Sequence, residues 1–117
     1  FGERFLTLLC SPEVLAVRRL IVAESGRSEL GRLCYTRGPK RSQAEVSRFL
    51  ASAMAQGRLR QADPLVATLH LRGLLEAELL DRFFFQVDDA VSKKEIKAIT
   101  ERAICVFMAA YGPEAPR

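Results

Sequence analysis

The stretch that decides the fold is PLVATLHLRGLLEAELLDRFFF, Pro64 to Phe85. Asp63 precedes it, and Asp-Pro is a strong helix opening: the carboxylate accepts free N–H groups while proline sits where no N–H is needed. The spacing predicts one long helix with apolar residues on two opposite sides. One stripe holds Val66, Leu69, His70, Gly73, Ala77, Leu80 and Phe84; the other holds Leu71, Leu75 and Leu79 at four-residue intervals. Arg72, Glu76, Glu78 and Asp81 are confined to the flanks. A helix on a small domain needs one apolar stripe. The second therefore predicts something that covers it.

Working outward, the punctuation is helical throughout. Ser11-Pro12-Glu13 opens a helix that runs to about Ser25 and stops at Gly26. Ser28 caps ELGRLCYTR, Pro39 opens a helix that stops at Gly57, and Ser92 with Glu95 reads as a capping box for a last helix ending at Gly112-Pro113. FGERFLTLLC begins with Phe1, Phe5, Leu8 and Leu9 at helical spacing and without a preceding cap, so it reads as the continuation of a longer chain. No stretch alternates with period two. The class is all-α: about six helices in a single domain over residues 1–117.

The last helix repeats the two-sided pattern. Ile96, Ile99, Ala103, Val106, Phe107 and Ala110 form one stripe. Ala98, Cys105 and Ala109 lie opposite, small enough to admit another helix. Leaving Leu71, Leu75 and Leu79 in water would forgo several kcal/mol, at about 25 cal/mol per Å². The simplest cover is a second copy, the last two long antiparallel helices of each chain forming a four-helix bundle across a two-fold axis. The alternative cover is a preceding segment of the chain.

Composition bounds the rest. The 117 residues are 49% hydrophobic, enough for one core, and no apolar run reaches membrane-spanning length. The net charge of +4 is spread along the chain, apart from Arg37 to Arg41, RGPKR, which reads as a solvated turn or a phosphate contact. Cys10, Cys34 and Cys105 are too far apart for a zinc or disulfide framework and read as free thiols of a reducing, cytoplasmic setting. One histidine and no nucleophile–base spacing argue against an enzyme, a metal or a cofactor.

Three segments in order, RLIVAES (Arg19 to Ser25), ELGRLCYTRGP (Glu29 to Pro39) and GRLRQADP (Gly57 to Pro64), together with the final VFMAAYG, resemble the C-terminal domain of TetR-family transcriptional regulators of the AefR type. Cys34, Leu71, Arg18 and Arg72 depart from that pattern. The resemblance implies an effector-binding and homodimerising domain of a repressor. It implies a small apolar or aromatic effector, and contact with operator DNA only through a helix-turn-helix domain that lies N-terminal to this region.

Candidate pocket residues follow. His70 is a packed core histidine or a ligand contact, and Tyr35 can line a cavity and hydrogen-bond. Arg18, on an apolar stripe, must reach solvent or find a carboxylate. Phe5, Leu9, Ile21, Phe49, Met54 and Leu74 are pocket walls or ordinary core. Candidate interface residues are Leu71, Leu75, Leu79, Arg82, Ala98, Arg102, Cys105 and Ala109. Two further readings stand beside this one: a helical protein-interaction module without a small ligand, and a nonspecific nucleic-acid binder.

Overall fold

The computed structural model describes residues 2–24, 26, 29–85 and 91–113. Every regular element among them is a helix: α1 (Gly2–Leu9), α2 (Pro12–Glu24), α3 (Leu30–Arg37), α4 (Pro39–Ala55), α5 (Pro64–Glu76), α6 (Leu80–Phe85) and α7 (Lys93–Tyr111). The all-α class read from the sequence holds. The count rises to seven because the stretch Pro64–Phe85 is two helices, not one. Between them, Leu79 N–H bonds to the Glu76 carbonyl at 2.9 Å, a tighter i to i+3 turn that interrupts the helical ladder.

Local chemistry sets the boundaries. The Ser11 hydroxyl accepts Val14 N–H at 3.4 Å and α2 starts at Pro12. One Asp63 oxygen accepts Leu65 N–H at 2.9 Å and Val66 N–H at 3.2 Å, with Pro64 in the first turn. Ser92 Oγ accepts Glu95 N–H at 3.1 Å, but the Glu95 carboxylate turns to Arg82 at 2.8 Å and does not close the expected capping box. Gly57, at φ 76°, supplies the left-handed turn after α4 that other residues adopt only with strain. Ser28, the expected cap of α3, lies outside the described residues.

The core is built by Leu50, Ala53 and Met54 of α4, Ala67, Leu71 and Leu75 of α5, Leu79, Phe83, and Ile96, Ile99, Ala103 and Phe107 of α7. Leu6 joins them from α1. α1 approaches closely because Gly2 has no side chain: a Cβ there would sit 2.7 Å from Thr100 Cγ2 and 3.2 Å from Leu75 Cδ2.

α5–α6 and α7 run antiparallel. His70 meets Tyr111, Glu78 meets Arg102 and Arg82 meets Glu95, so residue numbers fall along one arm as they rise along the other. The Cα extents are 51 × 33 × 18 Å. The shortest dimension is about two helix layers, given axial spacings of roughly 8–10 Å. Each helix in such a slab buries one side and shows the other to its surroundings.

This corrects the assignment of the two stripes. Leu71, Leu75 and Leu79, expected at a subunit interface, are core residues, 7%, 0% and 0% exposed. The stripe expected inside faces out: Val66, Leu69 and Phe84 are large exposed apolar residues, His70, Gly73 and Ala77 are exposed too, and Leu80 is half-buried. The cause is bulk. Three leucines at four-residue spacing fill the space between α4, α1 and α7, whereas Gly73 and Ala77 would leave it empty.

Candidate functional site

Thr68, Arg72 and Glu76 succeed one another every four residues, forming one ridge along α5. Glu76 is buried, and two guanidiniums hold it. Arg72 Nε donates to Oε2 at 2.9 Å from one turn earlier, and Arg18 Nη2 reaches from α2 to 2.7 Å of Oε1. Arg18 also lies over the Phe83 ring, 5.1 Å from its centroid. Burying a carboxylate is tolerable only with such partners. Satisfaction is nonetheless incomplete: the Arg18–Glu76 contact is an ion pair short of an aligned hydrogen bond, so Glu76 Oε1 and Arg18 Nη1 are both buried without a hydrogen-bond partner.

Arg72 borders a half-open cavity of about 30 Å³ between α4 and α5, lined by Ser42, Gln43, Val46, Thr68, Leu71, Arg72 and Leu75. That space admits one or two water-sized groups. The ridge thus joins a small mixed polar and apolar hollow to a buried, incompletely paired carboxylate.

The predicted pocket residues are dispersed around this point. Arg18 does find a carboxylate. Met54 is core, and Leu74 packs partly against it. Phe49 is 69% exposed and Tyr35 is exposed, so neither closes a cavity. His70 lies at the edge of the outward stripe, where its Nδ1 shares a hydrogen bond with the Tyr111 hydroxyl; Tyr111 in turn stacks on Phe107 at 4.8 Å between centroids. That assembly ties α5 to the end of α7. The side chains of Phe5, Leu9 and Ile21 lie outside the described ones. Glu76 and Thr68 were missed because a charged residue on a helix flank reads as solvated. The available signal was Arg18, a cation on an apolar stripe that required an anion.

The outward face of the last two helices is the second feature. On α5 it carries Leu65, Val66 and Leu69 beside Gly73 and Ala77. On α7, Ile104, Val106 and Met108 are exposed, as are the expected interface residues Cys105 and Ala109; Ala98 is half-buried. A shallow groove along α7 runs past Lys97, Thr100, Glu101, Ile104 and Cys105. Arg102 Nε and Nη2 grip both oxygens of Glu78 at 2.9 and 2.8 Å, which holds the Glu78 carboxyl below its ordinary range. Arg82 is half-buried beside Glu95. Burial pushes the Cys10 thiol up; the nearby Arg82 charge partly opposes this and Glu95 adds to it.

Arg37, Arg41 and Lys40 of the basic segment are exposed at the α3–α4 junction, in helical turns rather than an open loop. Among the described residues no group of three His, Cys, Asp or Glu side chains is placed to hold a metal. Among the same residues no helix is long and apolar enough to cross a membrane.

A short helical tier under two antiparallel helices with an apolar outer face is the architecture of TetR-type C-terminal domains. More specifically, the family described as "AefR-like transcriptional repressor, C-terminal domain" matches residues 1–113, and the chain belongs to it. A structure described as a TetR-family transcriptional regulator from Mesorhizobium loti MAFF303099 is similar with a TM-score of 0.87 and 29% identity, covering 95% of this chain and 55% of that one. The Flavonoid-responsive Regulator FrrA is similar with a TM-score of 0.84 and 28% identity, covering 98% of this chain and 59% of that one. The chain therefore spans little more than half the length of either regulator. No curated protein sequence matches it.

Proposed function

We propose that this chain is the effector-sensing and homodimerising part of a cytoplasmic TetR-type transcriptional regulator, acting as a repressor. In this reading an N-terminal helix-turn-helix domain of the whole protein contacts operator DNA, and residues 1–117 form the single regulatory domain. The observation that carries the proposal is the outward apolar face of α5 and α7, with Gly73 and Ala77 set among Val66 and Leu69. Small residues between larger ones let a second helix pair approach closely, and an exposed patch of this kind marks an interface. A second copy of the same face closes a four-helix bundle by two-fold symmetry.

The effector is small and mostly apolar or aromatic. The likeness to a flavonoid-responsive regulator supports an aromatic one.

Native mass spectrometry tests both parts at once. The expected species has twice the 13.1 kDa chain mass. Leu69→Glu is expected to shift it to the monomer while leaving the helical circular dichroism unchanged. A wild-type monomer at micromolar concentration, or a Leu69→Glu dimer of undiminished stability, overturns the interface. Retention of a small molecule, or its release on mild activation, reports the effector directly.

A further inference from the structure

The chain carries a net charge of +4, and residues 37–48 hold most of it. That segment has four cations, Arg37, Lys40, Arg41 and Arg48, against one acid, Glu45. All five side chains are exposed. Arg37 ends α3, and Lys40 and Arg41 lie in the first turn of α4. Arg48 follows Arg41 by seven residues, on the same face and about 10 Å further along the axis. The four cations thus form one continuous basic edge across the α3–α4 corner.

Five arginines elsewhere are engaged. Arg18 and Arg72 hold Glu76, Arg82 holds Glu95, Arg102 holds Glu78, and Arg32 lies 3.8 Å from Glu29. Among the described residues the four cations of the edge make no ion pair, although Glu45 is one turn from both Arg41 and Arg48. They do not serve the helix either. Cations in the first turn of α4 oppose its dipole, which favours an acid there, and none is present. Like charges gathered at a cost to the fold call for a partner of opposite sign.

We infer that this edge binds the phosphate backbone of duplex DNA, without reading its sequence. A duplex carries one charge per about 1.7 Å of axis along a uniform rod, so a row of cations finds phosphates at any register. An acidic polypeptide offers no such fixed row. The inference rests on the regulator reading above: a helix-turn-helix domain of the same protein holds a duplex, which raises the effective concentration of DNA at this edge. The regulatory domain then adds affinity that depends on salt, while the choice of operator stays with the other domain.

The test follows the anisotropy of a labelled duplex, about 20 base pairs of arbitrary sequence, titrated with the folded chain at several salt concentrations. The expected result is saturable binding at low salt. Four phosphate contacts give log Kd a slope of about 3–4 against log salt, so tripling the salt weakens binding roughly 25- to 80-fold. The variant Arg37→Gln, Lys40→Gln, Arg41→Gln is expected to lower the slope to about 1. Lys93→Gln, Lys94→Gln, Lys97→Gln removes the same charge from exposed positions on α7 and is expected to leave the slope unchanged. Circular dichroism checks that each variant folds. Arg41→Gln, Arg48→Gln leaves the α3–α4 corner intact and is expected to lower the slope by about 2.

Absence of binding at about 20 mM salt overturns the inference. Equal losses in the two triple variants reduce the effect to net charge and overturn it too. Displacement of the duplex by polyglutamate as readily as by unlabelled duplex, at equal charge, assigns the edge to an acidic protein and overturns the DNA reading. The dimer and retained-ligand measurements judge the sensing role independently of all three outcomes.

Discussion

Leu75→Ala discriminates most sharply between the two ways of facing α5. Leu75 is fully buried, beside Gly2 of α1 and within the cluster of α4 and α7. The substitution deletes three carbons, about 2.4 kcal/mol of transfer free energy at roughly 0.8 kcal/mol each. The cavity adds to this, because a ring of helices collapses only partly, so the total falls at about 3–4 kcal/mol. Unfolding entropy near 2.1 cal/mol/K per residue gives about 0.25 kcal/mol/K for the chain, so Tm falls by roughly 12–16 °C. Leu69→Ala, at a residue 44% exposed on the opposite side, is expected to cost the protomer under about 1 kcal/mol. The assay is thermal unfolding by circular dichroism at two protein concentrations, since dimerisation makes Tm depend on concentration. Light scattering on the folded variants separates packing from association. A loss below about 1 kcal/mol for Leu75→Ala, accompanied by a shift to monomer, would refute the burial described and restore Leu71, Leu75 and Leu79 to the interface.

Other outcomes follow from single contacts. Asp63→Ala removes the cap that accepts Leu65 and Val66 N–H and is expected to cost about 1 kcal/mol in denaturant midpoint; Asp63→Asn is expected to retain most of it. Glu78 is held below the ordinary 4.5 by Arg102, so its contribution to stability is complete above the unfolded value and is lost as pH falls through the lower folded one. Carbon-detected NMR is expected to show Glu78 titrating below the ordinary glutamate value, and Arg102→Gln to restore it. With Cys34 and Cys105 replaced by serine, Cys10 is expected to react with a disulfide reagent at pH 8 more slowly than a free thiol, because its raised pKa leaves less thiolate. A rate equal to that of free cysteine refutes it.

The sequence made the helices legible because their ends carry local chemistry. Ser11-Pro12, Asp63-Pro64 and Ser92 act within three residues and need no tertiary context. The break after Glu76 was not legible, since neither proline nor glycine marks it. Which face of α5 points inward was misread for a related reason: periodicity finds stripes but does not rank them. The ranking was nonetheless present. Ala98, Cys105 and Ala109 read as small residues that admit another helix, and the same rule applied to Gly73 and Ala77 selects the outward face of α5. The buried carboxylate was half legible, because Arg18 demanded a partner that only the packing of α2 on α5 could name.

The placement of both features on α5 has a mechanical consequence. The ridge of Thr68, Arg72 and Glu76 and the outward stripe of Val66, Leu69, Gly73 and Ala77 belong to the same thirteen-residue helix. Over such a length a helix moves as a unit, so a group inserted between α4 and α5 cannot displace the ridge without displacing the stripe. Leu71 and Leu75 lie between them, wedged against α1 and α7, and close packing there leaves discrete positions rather than a continuous slide. The salt link from Glu76 to Arg18 extends the constraint to α2. In the dimer proposed above, effector occupancy and the angle between the paired α5–α7 helices are therefore coupled through α5 itself. That coupling is reciprocal: an effector that weakens dimerisation must bind the monomer more tightly by the same factor.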